Sequence, residues 1–350
     1  MHQRDAQADH RAQESSGRVK TGTAALALCM AAVLTVFSGC STAGGGEAGG
    51  TVSTADEKED RREMEFYLTY PDYNTKAFTV SYDDGTIQDK KVMSLAKKYG
   101  VAVTFAPNTR WWGTSGWMDH EGYRVWVQRP TAAEIPHFYD GFEIASHTAT
   151  HVMLAEVDDA TIKQEVLDDM DYMEKLTGQR AIGMCYPGNS YNEHVIKVLK
   201  EYGLIYGRSA AVLYKYELPE DFMSWLPTCH DAWEGCPELS DKFLKKNTHR
   251  LLCFYIWGHA YELDKPSLIE GTTRWGNLEA LFKKMGEADN VWCATNGQIA
   301  SYVLATRGCE RTDDYFLNKS SMTVYAMHGD NRLEIAPGEK YIFADGSIEK

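Results

Sequence analysis

Two short patterns in this chain have the residue types and spacing for hydrolytic chemistry, and they stand about sixty residues apart. The first, Ser81-Tyr-Asp-Asp-Gly85, sets two carboxylates side by side after an apolar run. Like charges that close demand a cation or a proton. Alone, Asp-Asp-Gly is also a common turn. The second, His147-Thr-Ala-Thr-His151, sets two imidazoles four residues apart, the spacing that aligns side chains on one helical turn. Two imidazoles and a carboxylate are a frequent set for a catalytic divalent ion, with positions left open for water and substrate. A third feature is the apolar run Leu252-Cys-Phe-Tyr-Ile-Trp-Gly-His259. A histidine ending such a strand is more often structural; beside the other two patterns it is a candidate general acid near neutral pH.

Taken together, the patterns resemble the polysaccharide deacetylase family, carbohydrate esterase family 4, whose first motif is Thr/Ser-Phe/Tyr-Asp-Asp-Gly and whose second is His-Ser/Thr-x-x-His. The resemblance runs from about Lys76 to Thr306. It implies an α/β fold of the irregular (β/α) barrel type, and metal-dependent hydrolysis of an N-acetyl amide, or sometimes an O-acetyl ester, on a glycan. Residue by residue, it implies Asp83 as catalytic base and His259 as acid. Asp84, His147 and His151 become ligands of one divalent ion, zinc ahead of other transition ions. The third family motif, usually Arg-Pro-Pro-Tyr-Gly, reads Met184-Cys-Tyr-Pro-Gly-Asn189 here. It implies that the Tyr186 backbone N–H stabilises the oxyanion. Its arginine, which orients the base, is absent. Arg208, ending the next strand, is the candidate replacement, with a surface ion pair as the alternative. Asn108, Trp111, Asn189 and Trp257 are candidate substrate contacts. Trp112, Trp117 and Trp292 belong either to the sugar cleft or to the core. The carboxylate partner of the acid and a substrate-facing tryptophan fall near Asp221, Trp225 and Asp231, none of which is assignable.

Positioning these residues requires strands that end together. Residues 77–82, 101–105, 142–145, 182–186, 204–207, 251–257 and 291–293 read as strands. Helical periodicity fills the stretches 87–98, 160–176, 193–202, 277–285 and 298–306. Strand followed by helix over more than two hundred residues implies a parallel sheet with helices outside it, and active sites of such folds lie at the strands' C-terminal ends. After Arg311 the pattern changes to short strands split by Gly329-Asp-Asn331, Pro337-Gly338 and Asp345-Gly346, a small β appendage.

The ends of the chain complete the organisation. Arg18 and Lys20 precede an apolar run over 21–37 that is short for a transmembrane helix and closes in Phe37-Ser-Gly-Cys40. This resembles a bacterial lipobox, with Cys40 lipidated; simple secretion is the alternative. The expected organisation is a leader over 1–39, a Gly-rich tether over 40–70, a catalytic domain over 71–310 and the β extension over 311–350. The site then works outside the cytoplasm, held to the membrane by a lipid. A net charge of −14 argues against nucleic acid as partner and leaves an acetylated glycan as the expected one. Of the six cysteines after Cys40, only Cys229 and Cys236 are close enough in sequence to suggest a loop-closing disulfide. Two rival functions fit the same fold class. A glycoside hydrolase needs two carboxylates straddling a bond, which adjacent Asp83 and Asp84 do not offer. A catalytically silent glycan-binding lipoprotein is the other, favoured by the missing arginine.

Overall fold

The computed structural model describes residues 66–120 and 122–350; the leader, Cys40 and residues 41–65 of the expected tether lie outside the described residues. The tether does not reach 70, because Phe66–Thr69 forms strand β1 with Phe66 buried. Strand β2 (Lys76–Asp83) has all eight residues buried, as a strand covered on both faces must. Helix α1 (Asp89–Tyr99) follows and stops where Gly100 adopts φ 68° and donates its N–H to the Ala96 carbonyl. After β3 (Thr104–Ala106) comes an insertion the sequence did not announce, the hairpin β4 (Ser115–His120) and β5 (Tyr123–Gln128). Its burial alternates at period two, but its apolar runs, Trp117-Met118 and Val125-Trp126-Val127, are too short to mark strands in the sequence.

Alternation then resumes with β6 (Glu143–Ile144) and with helix α2, which runs through Asp159–Ile162, a π turn at Lys163–Leu167 and Asp168–Thr177. Next are β7 (Gly183–Cys185), α3 (Glu193–Glu201), β8 (Tyr206–Arg208), β9 (Cys229–His230), α4 (Cys236–Lys245) and β10 (Leu252–His259). Helix α5 (Arg274–Gly286), β11 (Val291–Cys293) and α6 (Asn296–Arg307) complete this part. Helix α6 opens on a capping box formed by Thr295 and Gln298.

Strand β2 is the axis. It pairs in parallel with β10 along its whole length, from Lys76↔Leu252 to Asp83↔His259. On its other side it pairs with β11 at its start and β3 at its end. Strand β3 pairs with β6, and a bridge between Ser146 and Met184 leads on to β7, which pairs with β8. A bridge between Arg208 and Trp225 reaches the segment that becomes β9, which pairs with β10. The pairings thus return to their origin in an irregular ring, two of whose steps rest on isolated bridges. Phe78, Val80, Phe254 and Phe282 lie fully buried inside the helical layer, each contributing on the order of 1.5–3 kcal/mol.

The C-terminal appendage comprises β12 (Glu310–Arg311), β13 (Tyr315–Leu317), β14 (Val324–His328), β15 (Asn331–Ile335), β16 (Lys340–Ile342) and β17 (Ile348–Glu349). Strand β1 joins it, pairing antiparallel with β14. Phe66 packs with Phe316, Val324, Ile335 and Tyr341 in a separate small core. The expected disulfide is not formed: Cys229 and Cys236 are buried free thiols. Among the described residues, no helix is long and apolar enough to cross a membrane.

Candidate metal centre and acid face

The parallel register puts His259 opposite Asp83, so two candidate proton-transfer groups stand on neighbouring strand ends. Both oxygens of Asp83 accept from Nη2 of Arg208, which is buried at the end of β8. The guanidinium carbon of Arg208 lies 4.6 Å from the Trp257 ring centroid. Arg208 is therefore a partner of the acid pair and not a surface ion pair. Burial works to raise the Asp83 carboxyl, but Arg208, with His147 and His259, outweighs it and holds it at about 2.

Asp84 turns away from β2 with φ 70°, and Gly85 continues the turn at φ 58°. A Cβ on Gly85 would lie 2.4 Å from the Pro107 side chain, so the turn admits only glycine. His147 Nδ1 bonds the Cys185 carbonyl at 2.7 Å, which assigns the proton to that nitrogen and leaves Nε2 as a bare acceptor. Nε2 stands 3.6 Å from Asp84 Oδ1, and both atoms are buried without a hydrogen-bond partner. Burial lowers the His147 pKa, against the pull of Asp83 and Asp84, toward the neutral form that binds metals. Candidate ligand atoms of Asp84, His147 and His151 all lie within 4.8 Å of one another. Two imidazoles, a carboxylate and buried acceptors facing each other fit a divalent cation such as zinc.

The two histidines are not on a helical turn. Thr148 and His151 have φ of 58° and 61°, and the segment is a loop. Asn108 fixes it by donating to the carbonyls of His147 at 2.6 Å and Thr148 at 2.9 Å, while Glu165 accepts from the N–H and hydroxyl of Thr150, both at 2.8 Å. Asn108 is fully buried, so it supports the ligand loop and does not line a substrate cleft. Trp111 stacks on His151, centroids 5.7 Å apart, and lies at the rim of this site.

The acid face is built differently. His259 Nε2 is 4.0 Å from Asp84 Oδ2, and its Nδ1 is 3.7 Å from Glu262 Oε2. Glu262, in the helical turn Ala260–Asp264, is buried among His230 Nε2 at 3.0 Å, His120 Nδ1 at 3.0 Å and Lys265 Nζ at 3.4 Å. Sequence reasoning missed it; its i+3 spacing from His259 was the available signal. Burial works to lower the His259 imidazole, but Glu262, Asp84 and Asp83 outweigh it and raise its pKa. Asp231 is 3.1 Å from His230 Nδ1 and accepts from the Tyr82 hydroxyl at 2.7 Å. Asp231 also abuts Gly258, where a Cβ would fall 2.6 Å from its Oδ1. Asp221 lies elsewhere, paired with Lys200 and capping the Met223 N–H, and Trp225 is core.

Three further expected site residues have partners within the fold. The Tyr186 N–H donates to the Arg208 carbonyl at 2.9 Å, and its hydroxyl to the Met223 carbonyl at 2.8 Å, so the N–H expected at an oxyanion is committed to strand pairing. Asn189 Oδ1 accepts from the Ser209 hydroxyl and the Ala210 N–H, joining two loops. Trp257 is a stacking partner for Arg208 and His230. Trp112 packs against Tyr172, and Trp292 against Tyr70 and Tyr302.

Residues 71–207 match the family model described as polysaccharide deacetylase. No curated protein matches the chain. Solved structures similar to it include a protein from Mycobacterium smegmatis assigned as a polysaccharide deacetylase, 17% identical, covering 70% of this chain and 96% of that one at a TM-score of 0.47. A family 4 carbohydrate esterase from Streptomyces lividans, in complex with acetate, is 12% identical, with coverage of 62% and 91% and a TM-score of 0.39. A CE4 family pseudoenzyme from Bacillus anthracis is 15% identical, with coverage of 67% and 68% and a TM-score of 0.42. Residues 71–207, the part of the chain that matches the polysaccharide deacetylase model, hold the acid pair and both histidines.

Proposed function

We propose that this chain removes acetyl groups from an N-acetylated, or O-acetylated, glycan. Asp84, His147 and His151 would hold one divalent ion, zinc by the donor set. When bound, that ion supplies Lewis acidity to a water and to the acetyl carbonyl. Asp83, ionised and fixed by Arg208, takes the proton of the attacking water. His259, kept protonated by Glu262, Asp84 and Asp83, delivers a proton to the leaving nitrogen. The observation that carries this reading is the β2–β10 register, which sets Asp83 and His259 side by side next to the donor triad. The lipobox-like Phe37-Ser-Gly-Cys40 supports an extracytoplasmic site tethered through a lipid on Cys40.

The test is acetate release from a panel of acetylated glycans, with chelator and with zinc restored. Metal-reversible release is expected; release of reducing ends without acetate would favour a glycoside hydrolase. The committed Tyr186 N–H favours one second reading, a catalytically slow or silent glycan binder. Glycan binding without acetate release in the zinc-loaded protein decides for it.

A further inference from the structure

We propose that the outer face of the β4–β5 hairpin is a binding platform for an extended glycan chain, beyond the sugar whose acetyl group is cleaved. The proposal rests on the deacetylase reading above. The hairpin register pairs Trp117 with Trp126, and their rings meet at 5.4 Å with a 70° interplanar angle. They are 60% and 43% exposed. Ser115 and Gln128 flank the pair on one side and Asp119 and Arg124 on the other, all exposed on the same face by strand alternation. Two exposed indoles, Trp117 with the Arg124 guanidinium carbon 5.5 Å from its ring centroid, stand between hydrogen-bonding groups and suit a sugar ring, which has an apolar C–H face and a polar rim.

The inner face already accounts for the hairpin's attachment. Met118, Val125 and Val127 pack on Tyr261, and His120 reaches Glu262. The tryptophans are therefore not needed to seat the hairpin on the barrel. Nor is the platform isolated from the site. Thr114 donates its N–H to the Trp111 carbonyl at 3.0 Å and accepts from the Arg129 N–H at 2.9 Å, so the hairpin base adjoins the ring that stacks on His151. Trp117 lies two residues beyond Ser115, about 7 Å along the strand, on the scale of one pyranose ring. A membrane surface fits less well: the indoles are mid-strand between polar Ser115 and Gln128 and charged Asp119 and Arg124, whereas interfacial anchors set aromatics on an apolar face.

The experiment compares the full chain with the double variant Trp117→Ala/Trp126→Ala. Acetate-release kinetics are measured on β-1,4-linked N-acetylglucosamine oligomers of two and six units, with sedimentation on anionic phospholipid vesicles in parallel. The expected result is a KM for the hexamer raised about tenfold with kcat unchanged, and dimer kinetics unaltered. Equal effects on dimer and hexamer, or none on either, overturn the platform and leave the deacetylase reading standing. Loss of vesicle binding with chain-length preference intact assigns the face to membrane and overturns it as well. If the unaltered protein releases no acetate from either oligomer, binding of the hexamer read by tryptophan fluorescence decides. Quenching lost in the double variant supports the platform, and quenching retained there, or absent in both, refutes it.

Discussion

The two faces of the strand mouth surround their carboxylates differently. On the Asp84 face, Asp84 Oδ1 and His147 Nε2 stand 3.6 Å apart with no donor for either. On the Glu262 face the carboxylate has basic groups around it, with His230 and His120 each at 3.0 Å and Lys265 at 3.4 Å. The backbone differs as well. Asp84, Thr148 and His151 occupy the left-handed region, while no described non-glycine residue between 229 and 265 does. Sparsely populated conformations persist only where the surroundings enforce them, and they concentrate at functional sites. Both faces keep buried polar atoms without a hydrogen-bond partner, Asp84 Oδ1 and His147 Nε2 on one and Glu262 Oε2 and His259 Nδ1 on the other, and each has a donor set that could hold a cation, but only the first is built on left-handed backbone.

That contrast breaks most visibly at the ligands. His147→Ala should lower acetate release at least about a thousandfold and abolish stoichiometric metal binding. Metal retained at full affinity in this variant would remove the distinction between the faces. Next in size is Arg208→Met, which strands the Asp83 carboxylate in a buried site. A loss of about 3–5 kcal/mol in unfolding free energy near neutral pH is expected, with activity down by a few hundredfold. The sign follows from the lowered Asp83 pKa. Its contribution is present above the unfolded value near 4 and is lost as pH falls toward about 2. The two proteins should therefore converge in stability at low pH, and a gap independent of pH would assign the loss to packing.

How much of this was legible depended on whether the signal was local. Asp83, Asp84, His147 and His151 are found together because each pair is a contiguous motif and each follows a strand whose apolar run is plain in the sequence. The helical placement of His147 and His151 was wrong, because a positive φ at Thr148 leaves no mark in residue type. Arg208 was nameable as a strand end, but only the folded structure, in which both Asp83 oxygens accept from its Nη2, decides between that carboxylate and a surface ion pair. Tyr186 failed for the same reason: whether its N–H is committed depends on the strand beside it. Glu262 and His120 escaped notice because the cluster they form draws on β4, β9, β10 and the following turn, which no single window spans.

Glu262→Gln tests the face that holds His259. It leaves the ligand triad intact, so metal affinity should be unchanged while kcat falls roughly ten- to a hundredfold with KM constant. A matching loss of metal would mean that the faces are not separable.

The last effect is on stability alone and concerns a carboxyl packed beneath His147. Asp169, on α2, is buried and accepts from the hydroxyls of Thr109 and Ser146, the latter one residue before His147. Burial pushes its pKa up to about 7, against those hydrogen bonds. The unfolded chain releases this proton near pH 4 and the folded chain holds it until near 7. Between those values the unfolded state binds fewer protons, so stability falls as pH rises, by roughly 4 kcal/mol in all, and levels off above 7. Asp169→Asn cannot titrate and should lack that slope. Urea denaturation of the metal-free protein from pH 4 to 8 should show the variant gaining on the unaltered protein as pH rises and exceeding it at pH 8. Parallel curves would show that Asp169 is already ionised when folded, and that the metal face tolerates a further negative charge beneath it.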